Sequence, residues 1–154
     1  VILTGWRLVP AAQAASAFDG EGARLYGGRW NSVGVSLVYA SQHLSLAALE
    51  IRVHIEKTSM AMPYKCFALH FDESLLDRFP KEKLPKTWRE QPAPAAVQAL
   101  GDAWVKKGES AILAVPSSII EHESNLLINP RHPAFSRIRV DKPTDFWFDQ
   151  RLFR

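Results

Sequence analysis

The sequence predicts an α+β domain, and three observations lead there. Candidate strands and helices follow one another without the regular alternation of a doubly wound parallel sheet. No glycine-rich phosphate loop joins a strand to a helix. The length of 154 residues, 47% hydrophobic with eight Phe and five Trp, supplies one core of ordinary size, so residues 1–154 are read as a single compact domain.

Trp6-Arg7-Leu8-Val9 reads as an opening strand that ends at Pro10. Residues 11–18, rich in Ala, suit a short helix, and Asp19-Gly20-Glu21-Gly22 a turn. Gly27 to Gly34 is a loop of Gly, Asn and Ser. Val35 to Ala40 suits a strand, with Ser41 placed to cap the next helix. Residues 44–56 form that helix, in which Leu46, Leu49 and Val53 repeat at helical spacing. Glu50 and His54, four apart, share a face beside that apolar stripe, which puts Glu50 at the edge of the core. Tyr64 to Phe71 is an aromatic-rich strand. Four prolines between residues 80 and 94 exclude regular structure there.

A second helix runs from Pro94 to Lys107. Pro94 suits its first turn, Val97, Leu100 and Trp104 mark its buried stripe, Lys106 and Lys107 complement its C-terminal dipole, and Gly108 stops it. Ala111 to Val115 is a buried strand, His122 with its flanking glutamates is read on a strand, and short strands are expected at 136–140 and 146–148.

Composition excludes several classes. No apolar run approaches the roughly 20 residues that cross a bilayer. Val1 to Pro10 lacks the features of a signal peptide, and one cysteine, Cys66, suits a reducing compartment, so a cytoplasmic protein is expected. The five His are scattered and no paired-Cys spacing occurs, so no metal site is expected. No Gly-x-Ser-x-Gly elbow supports a serine hydrolase. Residues 131–154 hold six Arg or Lys against three Asp, an excess equal to the formal net charge of +3. Such a basic segment suits a solvated edge or an acidic partner, and no nucleic-acid-binding motif accompanies it.

The residues with chemical content cluster early. Arg29 in Gly27-Gly28-Arg29-Trp30-Asn31 comes after two glycines, which permit close approach and unusual φ. Arginine grips phosphate through paired hydrogen bonds. Tyr39 ends an apolar strand, where its ring suits either core packing or stacking on a flat heterocycle. Asn31 reads as a turn residue. Glu50 lies in Leu46-Ala47-Ala48-Leu49-Glu50-Ile51 and needs a partner. Arg29, Arg52 and His54 are candidate ion-pair partners. The functional alternative is a carboxylate that stabilises positive charge on a sugar. Ser117 and Ser118 come directly after a buried strand, a common position for ligand groups.

These segments together resemble the RES domain, the toxin of bacterial Res–Xre toxin–antitoxin pairs. The motifs are Gly-Gly-Arg-Trp-Asn-Ser-x-Gly, Tyr-Ala-Ser, Ala-Leu-Glu, Val-Pro-Ser and Asn-Leu-Leu-Ile-Asn-Pro-x-His-Pro, spread from Trp6-Arg7 to Phe148-Asp149-x-Arg151. The resemblance implies a compact α+β fold similar to ADP-ribosyltransferases of the diphtheria-toxin type, with split sheets. It implies cleavage of the nicotinamide–ribose bond of NAD⁺, a substrate rather than a bound cofactor, and growth arrest. The acceptor is water, phosphate or, in a few members, a protein.

By the same resemblance Arg29 grips a phosphate or ribose of NAD⁺, Tyr39 stacks on nicotinamide, Glu50 faces the ribose, and a serine completes the site. Ser117 is the first candidate for it, with Ser118 and Ser136 as alternatives. Asn31, beside Arg29, is expected among the NAD⁺-binding residues. The partners implied are an Xre-type helix-turn-helix antitoxin that covers the cleft, promoter DNA bound through that antitoxin, and a homodimer contact. A protein-modifying ADP-ribosyltransferase and a non-catalytic nucleotide-binding or protein-binding module remain the alternative functions.

Overall fold

The computed structural model describes residues 1–56 and 61–153. Eight strands make one sheet in the order β4-β5-β6-β2-β1-β3-β7, with β8 also on β3. The strands are β1 Ile2–Pro10, β2 Val38–Ser41, β3 Tyr64–Asp72, β4 Leu76–Arg78, β5 Ile112–Pro116, β6 Ser124–Ile128, β7 Arg139–Val140 and β8 Thr144–Phe146. All pairs are antiparallel except β4–β5. The helices are α1 Glu21–Tyr26, α2 Leu44–Arg52 and α3 Ala95–Lys107.

The sheet has two halves. β1 and β3 pair along nine residues, and β2, β6 and β5 pair along four or five, whereas β1 and β2 share the single pair Trp6–Ser41. One sheet continues through that pair, so the split sheets that the resemblance implies are not separate sheets here. The expected α+β fold class is found.

Side-chain alternation assigns the layers. Leu8, Tyr64 and Cys66 pack under Ala47, Ala48 and Ile51 of α2. Tyr39, Leu113, Val115 and Leu127 pack under Val97, Leu100 and Trp104 of α3. Because Trp6 lies opposite Ser41, two residues from Tyr39 on β2, both helices cover one face of the sheet. Val9, Val38, Ala40, Phe67, Leu69 and Leu126 point to the other face, where Ala14, Phe18, Ala134 and Phe135 cover them from 3₁₀ turns at Ala11–Ser16 and Pro133–Arg137 and their flanks. α2 and α3 therefore flank the line where the two half-sheets part.

Several expectations change. Residues 11–16 form a 3₁₀ helix, and Glu21 begins α1 where the sequence predicts a turn. Asp19 Oδ1 accepts from the Glu21 amide, and Arg24 pairs with Glu21, which holds this six-residue helix together despite Gly22. Ser41 does not cap α2. It is the last residue of β2, His43 precedes the helix, and the Ser41 hydroxyl is drawn to Asn125 instead. α2 ends at Arg52, so Val53 is 55% exposed rather than part of the buried stripe. Residues 121–123 are a turn, and β6 starts only at Ser124. α3 and its left-handed cap at Gly108 (φ 65°) agree with the sequence reading. Lys57 to Met60 and Arg154 lie outside the described residues.

Candidate functional site

The line between α2 and α3 carries the polar cluster. Glu50 projects from α2, half-buried at the core edge as its position beside the apolar stripe requires. Its Oε1 accepts from Ser117 Oγ at 2.7 Å and from Asn125 Nδ2 at 2.7 Å. Asn125 is opposite Ser41 on one side and Val115 on the other, and Ser41 Oγ donates to Asn125 Oδ1 at 2.7 Å. That bond fixes which end of the amide faces Glu50. Ser117, fully buried just beyond β5, accepts from the Ile119 and Ile120 amides at 3.1 Å, so its one proton is directed to Glu50. Among the described residues no hydrogen bond reaches Glu50 Oε2. The carboxylate is thus gripped by one oxygen and offers the other.

The candidate ion-pair partners of Glu50 are otherwise engaged. Arg52 donates through Nε to Leu152 O at 2.6 Å and stacks on Phe153, and His54 is exposed. Arg29 stands near enough to Glu50 for attraction to raise its pKa, although burial sets the net shift downward. Still, the two make no salt bridge among the described residues. Arg29 is held instead by Nη1, which donates to Trp88 O at 2.8 Å and Glu90 O at 3.0 Å. Those carbonyls belong to the proline-rich stretch, whose Arg89 Nε donates to Ser118 O at 2.9 Å. One strap therefore ties the Arg29 loop to the Ser117 loop. The cation and the carboxylate are close enough to attract, and each is anchored by part of its head group.

Tyr39 and Asn31 build the floor under Arg29. The Tyr39 hydroxyl donates to Asn31 Oδ1 at 2.6 Å and accepts from the Trp30 amide at 3.0 Å. Asn31 is fully buried, and its Nδ2 donates to the carbonyls of Ala23, Ser32 and Val35. Both ends of that amide are consumed inside the protein. The Asn31 side chain, expected at the NAD⁺ site, is instead spent on pinning the loop. Burial pushes the Tyr39 phenol well above its ordinary pKa of 10. The close approach that Gly28 permits is to this tyrosine, since a Cβ there would lie 2.6 Å from the Tyr39 oxygen, while Gly27 takes the positive φ of 71°.

Of the three candidate serines, Ser117 touches Glu50. Ser118 contributes its carbonyl to Arg89, and Ser136 is exposed in the 3₁₀ turn on the opposite face of the sheet. Sequence reasoning misses Asn125 and Ser41 as site residues. The sequence carries them inside Asn-Leu-Leu-Ile-Asn-Pro and Tyr-Ala-Ser, but only the β2–β6 register brings them together. The rest of the late motif is architectural. Asn129 Oδ1 accepts from the Arg131 amide, and His132 bridges the Ala134 amide to Gly108 O at the end of α3. A concavity of about 410 Å³ lined by Ser36, Val105, Asn129, Arg131 and His132 shares no residue with the Glu50 cluster and contains no carboxylate. No group of three or more His, Cys, Asp or Glu is placed to hold a metal among the described residues. Nor is any described helix long and apolar enough to cross a membrane.

Comparison with known proteins places this architecture. Residues 4–149 match the RES domain. The chain belongs to the RES domain family. It is 37% identical to Toxin Res of Yersinia enterocolitica over 148 residues, 96% of this chain and 97% of that protein. It is 34% identical to the Prs ADP-ribosylating toxin of Sphingobium sp. over 154 residues, 97% of this chain and 96% of that protein. Its fold is that of a chain in the crystal structure of the M. tuberculosis MbcT-MbcA toxin-antitoxin complex. The TM-score is 0.77 and the identity 17%, covering 99% of this chain and 87% of that one. Within this RES domain, the Glu50–Ser117–Asn125 cluster and the Arg29 loop are the parts with chemistry to offer.

Proposed function

We propose that this RES domain is the toxin of a toxin–antitoxin pair and that it cleaves the nicotinamide–ribose bond of NAD⁺. The observation that carries the reading is the Glu50 carboxylate, held through Oε1 by Ser117 and Asn125 with Oε2 left to face a ligand. Nicotinamide leaves as a neutral group, so the departure requires little proton transfer. The demand falls on the sugar, which gains positive charge as the bond breaks. A carboxylate fixed in advance stabilises that charge without reorganising. Arg29, whose Nε and Nη2 make no bond among the described residues, binds the anionic or hydroxyl-rich part of the dinucleotide. Tyr39 offers a half-buried ring face for the nicotinamide while its hydroxyl stays committed to the loop.

Water or phosphate then takes the ribose carbon, which gives a glycohydrolase or a phosphorylase. A protein acceptor is the second reading, favoured by the likeness to a relative named as an ADP-ribosylating toxin. An antitoxin of the helix-turn-helix class would cover the cleft in the producing cell and bring the pair to promoter DNA. Expression in a bacterial host tests the proposal. Cellular NAD⁺ falls before growth stops, and co-expression with a cognate antitoxin restores both. Growth arrest with unchanged NAD⁺ would refute cleavage and leave the protein-modifying reading.

A further inference from the structure

The Arg29 loop is held by one face of α3. Gln98 Nε2 donates to Gly28 O at 2.9 Å. Asp102 accepts from the Ser32 amide at 2.9 Å and from Ser32 Oγ at 2.5 Å. Between them Gly101 is buried so closely against the loop that a Cβ would fall 1.7 Å from Trp30 O and 2.7 Å from Trp30 C. Residues 98, 101 and 102 lie three and four apart and share a face. They touch loop residues 28, 30 and 32, which alternate. The residues between, 29 and 31, turn elsewhere, Arg29 toward the strap carbonyls and Asn31 into the protein. The helix acts as a jig for the backbone around the tight turn that Gly28 and Asn31 close, and Arg29 stands in that turn.

We propose that Asp102, with Gln98 and Gly101, positions Arg29 for the substrate and so sets the affinity of the site. None of the three touches the reacting atoms. The inference rests on the NAD⁺ reading above for its kinetic consequence, but not for its structural one. Loss of the Asp102 carboxylate frees the Ser32 end of the loop, and Arg29 then meets the dinucleotide from a distribution of positions. Ground-state binding weakens more than the chemical step, because Glu50, Ser117 and Asn125 are held by other bonds.

The test uses the purified chain with Asp102→Ala and Asp102→Asn, each also in an Arg29→Ala background. Asp102→Ala is expected to raise KM for NAD⁺ about tenfold with kcat changed less than about threefold. Asp102→Asn keeps an oxygen for the Ser32 amide and restores part of the loss. In the Arg29→Ala background the same substitution adds less than about twofold, since its effect passes through the arginine.

Hydrogen exchange at the Gly28, Trp30 and Ser32 amides gives a readout free of NAD⁺ chemistry. Exchange there quickens in Asp102→Ala while the β5 and β6 amides keep wild-type rates. Unchanged KM with quickened exchange, or equal effects on KM with and without Arg29, overturns the positioning role. Should the wild-type chain cleave no NAD⁺, the functional proposal falls, and the exchange rates alone decide whether α3 holds the loop.

Discussion

Replacing Glu50 by glutamine separates chemistry from folding more cleanly than removing the side chain. Glutamine is the same size, and its one oxygen can occupy the place of Oε1, accepting from Ser117 Oγ and Asn125 Nδ2 at their present 2.7 Å. Its NH₂ then takes the place of Oε2, pointing at the ligand. Each hydrogen bond passes from charged to neutral, a loss of about 1 kcal/mol apiece. Against that, the uncharged side chain no longer carries the cost of holding a carboxylate half out of water. The net change in stability is expected within about 1 kcal/mol. The loss of electrostatic stabilisation of the sugar lowers turnover about 10²–10³-fold.

Glu50→Ala behaves differently. It leaves the Ser117 and Asn125 donors without an acceptor at a cost of about 1–3 kcal/mol each. The assay is denaturant unfolding beside NAD⁺ turnover for both variants. Glu50→Gln with wild-type turnover and wild-type stability would refute the role given to this carboxylate.

The same geometry bears on other positions. Asn125→Ala removes one of the two donors to Glu50 and lets the carboxylate swing, so turnover falls about tenfold or more with little change in the circular dichroism of the fold. Tyr39→Phe leaves the Trp30 amide and Asn31 Oδ1 without the hydroxyl that joins them, at a cost of about 2–4 kcal/mol by chemical denaturation. The wild-type Tyr39 phenol, with its pKa raised by burial, keeps its proton when the unfolded chain has lost it. Its stabilising contribution is therefore complete below pH 10 and declines as pH rises through the higher folded value. Stability curves above pH 10 should flatten in Tyr39→Phe, and equal slopes in both proteins would contradict the assignment. His132→Ala breaks the links to Gly108 O and the Ala134 amide and costs about 1–2 kcal/mol, while KM for NAD⁺ stays at the wild-type value.

The sequence makes some of this legible and hides the rest for physical reasons. Helix α3 is readable because Pro94, the Val97 stripe, the terminal lysines and Gly108 all state the same boundaries. Glu50 is readable as an edge carboxylate because helical spacing alone fixes its angle to Leu46 and Ala47. Its true partners are not. Ser117 and Asn125 lie 67 and 75 residues away, and only the pairing of β5, β6 and β2 brings them to it. Arg52 and His54 are nearer in sequence and turn to other tasks or to solvent.

Strand β4 escapes notice because three residues, with Asp77 and Arg78 exposed on the sheet edge, carry no periodic signal. The role of Asn31 is hidden for a different reason. In an isolated loop an asparagine closes its own turn, whereas here Tyr39 approaches across Gly28 and absorbs its carbonyl.

Nicotinamide release from NAD⁺ by the purified chain, with and without added phosphate and with no protein acceptor present, tests the central claim most directly. The account predicts release in at least one of the two conditions, slowed about 10²–10³-fold by Glu50→Gln in a protein that remains folded. No release in either condition from folded, unliganded protein would contradict it.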